Sequence, residues 1–178
     1  MTYTENIFIF GTSIVLLTLV LLIKNIAWEK LGLKPKSFFN GWWQVLLFNI
    51  SVFTLIQLTL FYKFINLPDW MVDRDPFLPL LVIVLLQEII FRGLLVSWLE
   101  KFGKQKALWI SVVIFVILHL IAPYTWSSVG IAFAGLTFFG GYFWGWHFLK
   151  FRNIYLLTIS HLLVNLSFNY VVLKFLLI

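Results

Sequence analysis

The sequence predicts an all-α, polytopic membrane protein, and three observations carry that prediction. Of 178 residues 62% are hydrophobic and only 11% charged, whereas soluble domains carry about 45–50% apolar and about 25% charged residues. The apolar residues gather into six runs, each at or near the ~17–25 residues that a bilayer requires. The basic residues, which give a net charge of +6, fall in short segments between alternate runs. That placement orients a chain in a membrane and forms no stripe for nucleic acid.

The first run, near 5–23, has no basic segment before it and no small-residue cleavage site, so it is expected to be a retained helix. The second, 41–65, carries Asn49, Ser51, Thr54 and Gln57, whose expected role is hydrogen bonding between helices. Gln87, Glu88 and Arg92 interrupt the third, 76–99, and Pro123 cuts short the fourth, 107–122. In the fifth, 126–149, "GLTFFGGYFWGW" spaces Gly141 and Gly145 four apart, which lets helices approach closely. Its aromatics are expected against lipid or near the interface, and His147, beside Lys150, is expected to be interfacial. The sixth, 153–177, contains His161 and Asn165. Residues 1–178 read as one integral membrane domain. Its motif-bearing core, about 76–177, is expected to be a conical or bundle-like group of four helices.

The loops "KNIAWEKLGLKPK", "EKFGKQK" and "KFRN" are basic, while "NLPDWMVDRD" is acidic and "APYTWSS" uncharged. With six spans every basic loop falls on one side. Lysine and arginine gather in the cytoplasm, so both termini are expected outside. The absence of cysteine excludes disulfides and thiolate chemistry.

An ionisable group at membrane depth costs at least ~2.5–3.5 kcal/mol and marks a functional site by default. Three runs carry such groups, each in a pair at spacing i, i+4, which places both members on one helix face: Glu88 with Arg92, Phe115 with His119, and His161 with Asn165. At 1.5 Å per residue from the basic ends, Glu88 lies roughly 18 Å deep, His119 and Asn165 roughly 20 Å, and His161 roughly 13 Å. Groups from three helices can therefore meet. A carboxylate with an imidazole can take a proton from water. A second imidazole and an amide can stabilise an oxyanion. Together they suit hydrolysis of a peptide bond by activated water. Zinc held by Glu88, His119 and His161 is the rival arrangement, although the His-Glu-x-x-His signature is absent. A proton-coupled transporter also uses buried acids and histidines, but no broken half-helices or inverted repeat are present.

"QEIIFR", "FVILH" and "HLLVN" resemble, in order and spacing, the three motifs of the CPBP intramembrane proteases, also called the Abi or CAAX-protease family. The family pattern is Glu-Glu-x-x-x-Arg, Phe-x-x-x-His and His-x-x-x-Asn or Asp on separate helices, and the likeness covers about residues 80–170. It implies a glutamic-type endopeptidase without a metal cofactor, acting on a membrane-associated peptide or protein substrate. It further implies that His119 partners the attacking water and that His161 and Asn165 form the oxyanion hole. Glu88 and Arg92 match the second glutamate and the arginine, and Phe115, the first residue of the second motif, is a candidate substrate contact. A prokaryotic plasma (inner) membrane is the expected location.

The departure is at Gln87, where the family has its first, water-activating glutamate. A carboxamide resembles a carboxylate in shape but cannot accept the proton of water. Three accounts fit. One is a deliberate exchange that traps an otherwise active enzyme. Another is a silent member kept for peptide binding or bacteriocin immunity. The third is use of Glu88 as the base, although it is rotated about 100° from Gln87 on a helix.

Overall fold

The computed structural model describes residues 28–36, 38–62, 64, 77–121 and 128–167, and among these every regular element is helical. α1, Trp42–Phe61, starts after Gly41, whose φ of 82° ends the preceding turn. α2, Phe77–Glu88, passes without a break into a π-helical stretch, Ile89–Val96. A single α turn, Ser97–Leu99, and a 3-10 turn, Glu100–Phe102, then lead to Gly103. α3 is Lys104–Ile121, α4 is Ser128–Phe151 and α5 is Ile154–Leu166.

Five of the six expected spans coincide with these helices, and the first, 5–23, lies outside the described residues. The acidic loop, the uncharged loop and the end of the sixth span beyond 167 lie outside them as well. Two of the described helical runs, Trp42–Phe61 and Leu80–Phe102, are long and apolar enough by themselves to cross a membrane, with mean hydropathies of 1.8 and 2.2. The third run is not the plain α-helix that the spacing suggested. Over Ile89–Val96 it is wound with i→i+5 hydrogen bonds, a rare form that is frequent at functional sites.

α2 to α5 share one core, to which Phe91, Leu99, Phe115, Phe148 and Leu157 contribute. α3 and α4 approach closely because Gly141 and Gly145 carry no side chain. A Cβ at 145 would lie 2.5 Å from Leu108 Cδ1, and one at 141 would lie 3.2 Å from Phe115 Cδ1. α1 flanks this core more loosely and buries only Val45 and Ile56. The expected interhelical bonding is seen at Asn49, whose Nδ2 donates to Ser160 Oγ at 2.8 Å.

The three basic loops meet at one end of the bundle. Only Arg152, at φ 50°, and Asn153 separate α4 from α5. Asn153 caps α5 by accepting from Leu156 N, and its Nδ2 donates to Phe38 O at 2.7 Å. Arg152 pairs with Glu100 and donates to Ser97 Oγ at 3.1 Å. Ser97 in turn donates to Lys30 O at 2.8 Å, and Ile154 N donates to Gly32 O at 3.2 Å.

This docking corrects the expectation for His147, which is fully buried and not interfacial. The segment leading into α1 folds over the end of α4, and His147 Nε2–H donates to Gly41 O at 3.1 Å. Gly41 is the residue that permits it. A Cβ there would meet His147 Nε2 at 2.5 Å and Phe151 Cε2 at 2.6 Å, in a left-handed backbone conformation. Gly41→Ala is therefore expected to destabilise the protein by about 2 kcal/mol or more. A lowered thermal midpoint in detergent is the measurement, and an unchanged midpoint would show that this junction contributes little.

A second correction concerns the aromatics of α4. Phe139 is 66% exposed, in keeping with a lipid-facing position, but Trp144 is only 3% exposed. Helix side chains lean toward the N-terminus, so the Trp144 indole lies over position 140. Gly140 leaves the room it occupies: a Cβ there would stand 3.0 Å from the indole.

Candidate active site

Gln87 and Glu88 close the α-helical part of α2, and neighbouring positions on a helix point about 100° apart. Their side chains accordingly go to different places. Gln87 lines a cavity of about 150 Å³ that it shares with Phe115 and His119 of α3 and with His161 and Asn165 of α5. Phe48, Leu80, Ile83, Phe139 and Val164 supply apolar wall. Glu88 does not line this cavity; it lies fully buried behind His161.

The Glu88 carboxylate is the centre of a buried charged cluster. Its Oε1 accepts from His161 Nδ1 at 2.7 Å and faces Arg92 Nη1 at 3.3 Å. Charge-assisted bonds of this kind ordinarily measure 2.7–2.9 Å, so the histidine is the tighter partner. Arg92 is 1% exposed, and its guanidinium carbon lies 4.4 Å from the Phe115 ring centroid and 5.4 Å from that of Trp144. Its Nη2 also reaches Gly141 O at 3.5 Å. A buried arginine is thus matched by one carboxylate and by aromatic faces. Among the described residues, Glu88 Oε2 and Arg92 Nε have no hydrogen-bond partner.

The two histidines have their protons placed by these contacts. A backbone carbonyl only accepts, so His119 Nδ1 donates to Phe115 O, 2.8 Å away. His161 Nδ1 donates to Glu88 by the same reasoning. In each neutral ring Nε2 is then the acceptor nitrogen. Phe115 forms a floor beneath both, with ring centroids 4.4 Å from His119 and 6.1 Å from His161.

Five of the seven candidate residues, Gln87, Phe115, His119, His161 and Asn165, therefore share one cavity, and Glu88 and Arg92 stand behind it. The groups considered for zinc were Glu88, His119 and His161. Glu88 turns its Oε1 to His161 and Arg92, and no set of three His, Cys, Asp or Glu side chains among the described residues is placed to hold a metal ion. Sequence reasoning missed Thr137 and Gly140, which line the cavity, and Trp144, which both lines it and covers His161. The one available signal was the glycine pair beside an aromatic run in α4.

The sequence model of the family described as type II CAAX prenyl endopeptidase Rce1-like matches residues 75–167, more than half of the chain. The chain belongs to this family. The match spans all three motifs and includes every cavity residue from Leu80 to Asn165. No match was found among curated proteins or among solved structures. Gln87, Glu88 and Arg92 thus belong to a CAAX-endopeptidase frame, and two helical runs of the chain are long and apolar enough to cross a membrane.

Proposed function

We propose that the cavity is the peptide site of a CAAX-type intramembrane endopeptidase in which Gln87 stands at the position of the water-activating carboxylate. In this reading the chain binds a membrane-associated peptide or protein segment and cleaves it very slowly or not at all. The observation that carries it is the sharing of one cavity by Gln87, His119, His161 and Asn165. His119, with Nδ1 held by the Phe115 carbonyl, presents Nε2 as the nitrogen that orients water or takes its proton. Asn165 and His161 donate to the oxyanion of the tetrahedral intermediate. Donation from His161 Nε2 requires the imidazolium, and the adjacent Glu88 carboxylate is its counter-charge.

Glu88 is a poor candidate for the missing base. Its Oε1 is engaged by two donors, and the side chain is 0% exposed and absent from the cavity wall. Silent binding therefore suits this chain better than relocated catalysis. The basic end of the bundle is proposed to face the cytoplasm of a prokaryotic cell, following the positive-inside rule.

The test compares the chain with Gln87→Glu, and with Gln87→Glu plus His119→Ala, on a library of membrane peptides. His119-dependent cleavage after Gln87→Glu supports the reading, and its absence overturns it. The mechanism is also proposed to run without a metal. Elemental analysis of purified protein is expected to find no stoichiometric zinc, and zinc lost on His119→Ala or His161→Ala would refute that part.

A further inference from the structure

The family reading uses His161 but leaves unexplained why its ring should hold one orientation. A histidine ring turns in a broad torsional well at its second side-chain bond. The Glu88 contact fixes one nitrogen and still lets the ring pivot about that contact. A second restraint comes from α4. The Trp144 indole lies nearly flat on the His161 imidazole, with centroids 4.2 Å apart and planes 22° from parallel.

Trp144 is itself held. Its Nε1–H donates to Ser160 Oγ at 2.9 Å. Asn49 Nδ2, from α1, donates to the same oxygen at 2.8 Å and to Val45 O at 2.8 Å. A hydroxyl oxygen has two lone pairs, and these two donors use both. Ser160 is fully buried and directly precedes His161, so one oxygen ties α1 and the α4 indole to the backbone beside the histidine. Gly140 completes the seat by leaving the space that the indole fills.

We infer that Trp144, Ser160 and Asn49 are positioning residues that fix the plane of the His161 ring, so that with Glu88 on Nδ1 the direction of Nε2 is set before substrate binds. The structural half of this inference needs no catalysis. Its catalytic half rests on the proposed peptidase reading. Hydrogen bonds weaken steeply below about 120°, so a ring free to swing loses its alignment to an oxyanion. Misplacement by about 1 Å can lower a rate about 10²-fold.

The experiment uses the full chain in detergent with ¹³C-labelled histidine. Only three histidines are present, and single substitutions at His119 and His147 assign the His161 signal. The indole above the ring shields it, so the His161 Cε1–H resonance is expected upfield of ordinary histidine. Trp144→Leu should return it to the ordinary range, and Trp144→Phe should keep most of the displacement because a ring still stacks. Ser160→Ala and Gly140→Ala should move it partway, one by freeing the indole and the other by pushing it. Gly140→Ala removes no hydrogen-bonding group and so serves where Trp144→Leu fails to fold.

In the Gln87→Glu background, Trp144→Leu is expected to lower kcat about 10²-fold with a much smaller change in KM. A His161 resonance unmoved by both Gly140→Ala and Ser160→Ala, in protein that melts like the parent, would overturn the inference, as would a kcat within twofold in Trp144→Leu. If Gln87→Glu yields no cleavage at all, the peptidase reading fails by itself, and the resonance still decides whether the ring is clamped.

Discussion

Gln87→Glu is expected to raise peptide cleavage by about 10²–10⁴-fold, the usual worth of a positioned general base. The exchange replaces an amide nitrogen by an oxygen at nearly constant shape, so the cavity and its other residues should be undisturbed. What changes is one capability, since a carboxylate accepts the proton that an amide cannot. The gain should depend on His119, whose ring shares the cavity and whose Nδ1 is already committed to Phe115 O. Adding His119→Ala should therefore remove most of it. Gln87→Asp is the informative control: it restores the charge on a side chain one methylene shorter and should recover much less activity. Equal recovery by both acids would mean that charge matters and reach does not, contrary to a positioned base.

The second large effect is on stability. Glu88→Leu leaves the Arg92 guanidinium buried without its carboxylate and removes the partner of His161. Loss of one member of a buried ion pair typically costs about 3–5 kcal/mol. A variant that populates little folded protein in detergent is the expected outcome. Removing both charges together should be far milder, because a buried pair replaced by apolar groups is often neutral or stabilising. Thermal unfolding of Glu88→Leu, Arg92→Met and the double variant closes a mutant cycle. If the double variant is no more stable than Glu88→Leu, the two charges do not depend on one another. Glu88→Gln separates charge from shape, as it keeps an oxygen able to accept from His161 Nδ1.

The sequence made some of this legible and hid the rest for physical reasons. Charges and histidines stand out against hydrocarbon, and the pairs at i, i+4 spacing on α3 and α5, Phe115 with His119 and His161 with Asn165, each line the cavity. Depth along a helix was readable only to within about two turns, since it was counted from rise per residue alone. Rotation was not. A lipid-facing surface is as apolar as a protein core, so hydrophobicity does not say which side of α4 turns inward, and Trp144 was expected with the other aromatics against lipid or near the interface. His147 was misplaced for a related reason. Its burial depends on the segment before α1 folding across the helix end, through contacts such as Gly41 O that are more than a hundred residues away in the chain. The unlike surroundings of Gln87 and Glu88 followed from the 100° between adjacent residues, but which of the two faced the cavity required the resemblance or the structure. The depth estimate put His161 above Glu88, yet their side chains meet at 2.7 Å. Side-chain length and helix tilt, neither visible in residue counts, close that difference.

The winding of Ile89–Val96 has a consequence for how this protein can change by descent. Each i→i+5 turn encloses one residue more than an α turn, so the stretch is a single codon deletion away from an ordinary helix. Such a deletion would leave Gln87 and Glu88 facing as they do now. The wider turns absorb the extra residue, so Ser97 and Glu100 would keep the facing that ties them to Lys30 and Arg152. A change of length by one residue inside this segment is thus taken up locally, whereas the same change in an α-helical part would turn one end against the other by about 100°. The π-helical stretch is therefore the place between Glu88 and Glu100 where a one-residue change of length would disturb the two ends least.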